Sequence, residues 1–151
     1  MDELVRWLGE QLDEDERIAR AAISVVGDVP GAANWRFGNA FTDEGGTYWQ
    51  ITTRTPDIEG FGPVELVGSG MSGGGAHEPE IARHAVEHDP ARVLAEIDAK
   101  RQLLTAYAHA ADRDVNEVEY AHGYANALGE AVRLLALPYA SRPGYREEWR
   151  P

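Results

Sequence analysis

The feature that most constrains the fold is a change of hydrophobic rhythm along the 151 residues. Over residues 2–26 apolar side chains recur at three-four spacing, which predicts one long amphipathic helix with Leu4, Trp7, Leu8, Leu12, Ile18, Ala19, Ala22, Ile23 and Val26 inward. Over residues 34–67 the rhythm shortens. "NWRFGNAF", "GTYWQITTR" and "GPVELVG" are rich in aromatic and β-branched residues and are parted by "TDEGG" and "TPDIEGFG". From residue 77 the helical spacing returns. Strands gathered in one block between helices, rather than alternating with them, describe an α+β fold.

The punctuation agrees with this division. "GDVPG" at 27–31 closes the first helix with two glycines and a proline. The three runs predict an antiparallel meander whose first connection is a glycine-containing hairpin. Three strands cannot close a barrel, so one face of the sheet must lie on helices. Alternation along the second run puts Tyr48, Gln50 and Thr52 on one face and Trp49, Ile51 and Thr53 on the other. "GSGMSGGGA" at 68–76 reads as a glycine-rich linker, because it lacks the G-K-[ST] ending of a phosphate loop.

In the C-terminal half, "EPEIARHAVEH" predicts a short helix with Pro79 in its first turn and Ile81 and Ala85 on its apolar face. Asp89-Pro90 then supplies a cap and a first helical residue for a helix over 90–111. Its core face is Val93, Leu94, Ile97, Leu104, Tyr107, Ala108 and Ala111, with Glu96 and Lys100 as an i,i+4 pair. Asp114 and Glu117 precede a third helix carrying Val118, Ala121, Tyr124, Ala125, Leu128, Val132 and Leu135 on one stripe, stopped by Pro138. The tail "YASRPGYREEWRP" (139–151) holds too much proline and glycine for a helix and too many aromatics for idle coil.

Composition narrows function. A net charge of −12, from 26 acidic against 14 basic residues, argues against a broad nucleic-acid-binding surface. It suits a highly soluble surface or an acidic imitation of nucleic acid. The absence of cysteine removes disulfides, thiolate metal sites and thiol nucleophiles. No apolar run approaches a membrane span, and the acidic start is unlike a secretory leader, so the expectation is a cytoplasmic protein without a membrane partner.

One stretch invites a catalytic reading. His84-Ala-Val-Glu87-His88 matches the H-x-x-E-H pattern of inverted zinc peptidases, with two imidazoles a helical turn apart and a carboxylate to orient water. A third ligand is required, and the spacing does not choose among Glu117, Glu119, His109 and His122. A histidine at the margin of an apolar face ordinarily packs its ring and hydrogen-bonds a carbonyl. Ser24, Ser69, Ser72 and Ser141 lack a G-x-S-x-G elbow. The sequence therefore assigns no catalytic residue, no metal ligand and no cofactor.

"HDPARVLAEIDAKRQLL" (88–104), "VRLLALPYASRPGYREEWRP" (132–151) and, more loosely, "LVRWLGEQLDEDERIARAA" (4–22) resemble an actinobacterial, phage-associated family of domains of unknown function. The middle of the chain departs from that pattern, with "VPGAANW" in place of a T-P-G-P-W run. The resemblance implies no activity. It implies a retained histidine pair without Glu87, which weakens the peptidase reading.

The expectation is one α+β domain over residues 1–151, with a helix at 1–26, a three-stranded meander at 34–67, a linker at 68–76, a helical part at 77–137 and an extended tail at 138–151. The functional reading is a non-enzymatic protein-binding or adaptor protein of mobile-element origin, with a protein partner or a second copy as its ligand. Tyr139, Tyr145, Arg146 and Trp149 are the candidate contact residues, since aromatic and arginine side chains dominate binding hot spots. The competing reading of Tyr139, Tyr145 and Trp149 is that they anchor the tail to its own core. Two alternatives stay open: a metal-dependent hydrolase using His84 and His88, and an acidic inhibitor that mimics nucleic acid.

Overall fold

The computed structural model describes residues 1–43, 46–54, 65–67, 78–114 and 119–151. The expected turn at 44–45, the expected connection at 55–64, the glycine-rich stretch at 68–76, Glu117 and Val118 lie outside the described residues. The fold is α+β: α1 (Asp2–Val26), β1 (Trp35–Asp43), β2 (Gly46–Thr53), β3 (Glu65–Val67), α2 (Pro79–Glu87), α3 (Pro90–Asp114) and α4 (Glu119–Ala136). Single 3-10 turns follow at Leu137–Tyr139 and Glu147–Trp149. The chain divides into two compact units, one of residues 1–16 with 95–151 and one of residues 17–94.

The first unit is helical. Its core takes Leu4, Trp7, Leu8 and Leu12 from α1, Ile97, Leu104 and Ala110 from α3, Ala125, Val132 and Ala136 from α4, and Tyr139 and Trp149 from the tail. Two residues expected inside are exposed. Ala108 is exposed although it shares a face with Ile97 and Leu104, and Ala110, about 160° away around α3, is buried instead. Tyr124 stands outside while its neighbour Ala125 is buried, which leaves the phenol in water.

The second unit is a small sheet with a helix on it. β1 and β2 run antiparallel, pairing Trp35 with Thr53, Arg36 with Thr52 and Phe37 with Ile51, then shifting register before Ala40 meets Trp49. Gly38 lies at the shift, where a Cβ would fall 2.8 Å from the Gln50 Cβ; only glycine admits that approach. The short β3 pairs with β2 at Ile51–Val67 and Thr52–Glu65. Ile51, Thr52 and Thr53 are all buried, so the expected alternation does not separate a covered from an open face at this end of β2.

α2 packs on β1 and β2. Its buried residue is Ala82, and Ile81, expected on the apolar face, is 63% exposed. The small Ala82 side chain allows close approach to the sheet, and one residue of rotation turns Ile81 to water. Ile18 is likewise exposed, at the edge of the α1 stripe where the helix has passed from one unit into the other. Among the described residues no helix is long and apolar enough to cross a membrane.

Candidate functional site

The tail is built against α1. Gly144, at φ +85°, turns the chain so that Tyr145 and Trp149 converge on Trp7. The Trp7 ring lies 5.5 Å from Tyr145 and 5.4 Å from Trp149, and Tyr145 meets Trp149 edge-on at 5.8 Å. Trp7 Nε1–H donates to the Pro143 carbonyl at 3.0 Å. Arg146 lies over the Trp149 ring and pairs with Glu3. The four tail residues singled out by the sequence therefore divide. Tyr139 and Trp149 are 4% and 7% exposed, Tyr145 is half-buried with its hydroxyl unpartnered among the described residues, and Arg146 is exposed.

Below this clasp is a polar network. Lys100 Nζ donates to the Tyr139 hydroxyl at 3.1 Å, and that hydroxyl donates to Asp15 Oδ2 at 2.9 Å. Arg142 pairs with Asp15 and lies over the Tyr139 ring at 4.7 Å. Burial pushes the Tyr139 phenol above its ordinary value; the Lys100 hydrogen bond opposes this and the Asp15 bond adds to it. Arg101 pairs with Asp13 and Glu16. Much of the acidic run at 13–16 is thus engaged with arginines of its own unit.

Sequence reasoning missed a third feature. α3 and α4 leave between them an apolar groove of about 390 Å³ lined by Ala99, Leu103, Ala131, Leu134, Leu135 and the stem of Lys100. Leu134 is 53% exposed. Glu96 and Glu130, both exposed, lie on the same two helices, Glu96 one turn before Ala99 and Lys100. The available signal was Leu134 itself, an apolar residue off the buried stripe.

In the other unit, α2 presents His84 and His88 at its exposed C-terminal end, with ring centroids 4.3 Å apart and planes inclined by 43°. His88 Nδ1 lies 2.9 Å from the His84 carbonyl. Glu87, the carboxylate of the peptidase pattern, faces Arg92 at 3.8 Å, and the Glu87 carbonyl accepts from Arg92 at 2.8 Å. His109 and His122 are exposed elsewhere, and the Glu119 side chain is outside the described set. No group of three metal-ligating side chains occurs among the described residues. Ser24, one of the serines considered, donates to the Ala21 carbonyl.

No curated protein and no solved structure matches the chain. A family model does match it, end to end over residues 1–151, and the chain belongs to that family, DUF6221, a family of unknown function.

Proposed function

We propose that this chain is a non-enzymatic protein-binding or adaptor protein of the cytoplasm, and that its binding surface is the groove between α3 and α4. The observation that carries the reading is an apolar floor with a half-exposed Leu134, on helices that also carry the exposed Glu96 and Glu130. An amphipathic partner helix with aliphatic anchors and Lys or Arg flanks fits, the aliphatic face filling the groove and the flanks answering Glu96, Glu130 and the acidic chain. The net charge of −12 steers such a partner from a distance.

In this reading the tail supports the surface. Tyr139 and Trp149 are occupied in their own core, and Arg146, although exposed, is already engaged with Glu3 and the Trp149 ring. The nucleic-acid-mimic alternative is weaker because Asp13, Asp15 and Glu16 are paired internally. The hydrolase alternative is weaker because Glu87 faces Arg92.

The test is fluorescence anisotropy with a labelled synthetic helix bearing a leucine face and lysine flanks. Binding should be salt-sensitive and should be lost on Leu134→Asp, while the charge-matched Val25→Asp, at an 88% exposed position, leaves it intact. Equal binding by the two variants, or none by the unmodified chain, would sink the reading.

A further inference from the structure

We propose that His84 and His88 form a two-histidine site for a divalent transition-metal ion of the zinc class, held through His88 Nε2 and a ring nitrogen of His84. The site is one of binding, distinct from the groove and from the hydrolytic scheme.

The first argument is tautomeric. A backbone carbonyl only accepts, so the 2.9 Å contact from His88 Nδ1 to the His84 carbonyl requires a proton on Nδ1. In the neutral ring the lone pair then belongs to Nε2, on the opposite edge of an exposed imidazole. Metal-bound histidines use the same arrangement: the non-ligating N–H donates to a carbonyl, which fixes ring orientation and raises the basicity of the ligating nitrogen.

The second argument is convergence. His84 and His88 are one turn apart, and a centroid separation of 4.3 Å brings the two rings within reach of one ion. The exposed His84 ring lies against that of His88. Neighbouring cations are turned away: the Arg83 guanidinium lies over Phe37 at 5.6 Å, and Arg92 is directed to Glu87.

The third argument is rigidity. Ala82 is fully buried, and the His88 N–H reaches the His84 and Ala85 carbonyls at 3.2 and 3.3 Å, so both imidazoles project from fixed backbone. Imidazole pairs suit Zn²⁺, Cu²⁺ and Ni²⁺. Two protein ligands leave the remaining positions to water or to a donor from another molecule.

Titration calorimetry with ZnCl₂ in a non-coordinating buffer tests the site. The unmodified chain should bind one equivalent, His84→Ala and His88→Ala should each weaken binding by roughly tenfold or more, and His109→Ala should leave it unchanged. All four proteins should melt alike, because these histidines are exposed. Zinc binding that survives in the His84→Ala/His88→Ala double variant, or that is lost equally in His109→Ala, overturns the assignment. So does a failure of the unmodified chain to bind zinc at all.

Discussion

Asp89 joins two elements through one carboxylate. Its Oδ1 accepts the Arg92 N–H at 2.8 Å, capping α3, and its Oδ2 accepts the Trp35 N–H at 3.1 Å, where β1 begins. The Ala91 N–H adds a bond to the Ala33 carbonyl at 3.0 Å, so the start of the helix and the start of the strand are tied side by side. Asp89→Ala removes the cap and strands two backbone donors, and should lower stability by about 2–3 kcal/mol. Asp89→Asn keeps one acceptor oxygen but turns an NH₂ toward the other donor, and should lose about half as much. Urea unfolding followed by circular dichroism measures both, and equal losses would contradict the division of labour between the two oxygens.

Half of this corner was legible beforehand. Asp-Pro before an apolar-periodic run signals a cap, because both the cap geometry and the proline preference are local. The bond to Trp35 was not, since nothing in the spacing of residues 35 and 89 declares that they meet. The same limit explains the other differences. Periodicity predicted α1 to its observed ends, yet it could not say that α2 would bury Ala82 in place of Ile81, which depends on how closely the helix approaches the sheet. The groove was invisible for a similar reason: a leucine beside the stripe reads as noise until a second helix gives it a facing wall.

Trp7 is the residue on which the tail closes, and nothing in the tail's own sequence points to it. Trp7→Ala should cost roughly 3–5 kcal/mol and expose the tail to trypsin at Arg146. Trp7→Phe keeps a ring against Tyr145 and Trp149 but loses the bond to the Pro143 carbonyl, and should cost about 1–2 kcal/mol. Deleting residues 139–151 should lower the melting temperature sharply, since Tyr139 and Trp149 leave the core with it. Unchanged melting of the deleted chain would show that the tail is not part of that core.

Two glycines make an opposed pair. Gly144 adopts φ +85° with Trp7 Nε1 only 3.0 Å from where a Cβ would stand, so Gly144→Ala should destabilise by about 1–2 kcal/mol. Gly123, on α4, has nothing within 4 Å of that position, and Gly123→Ala should stabilise by about 0.5–1 kcal/mol through helix propensity. Thermal melts of the two variants should move in opposite directions.

Tyr139 gives the fold a sensitivity to alkali. Burial raises its folded-state pKa above the ordinary tyrosine value of 10.0, so the native state holds the phenolic proton more tightly than the unfolded chain. Between those two values the folded protein binds more protons, and stability must fall as pH rises. The contribution is complete below pH 10.0 and is lost as pH climbs through the folded value. Tyr139→Phe has no proton to lose. It should be less stable than the unmodified chain at neutral pH, because Lys100 and Asp15 lose their shared partner. Its stability should then decline less steeply above pH 10.0. Denaturant midpoints taken across that range decide the matter: parallel declines in the two proteins would assign the alkaline loss to other groups and would detach Tyr139 from it.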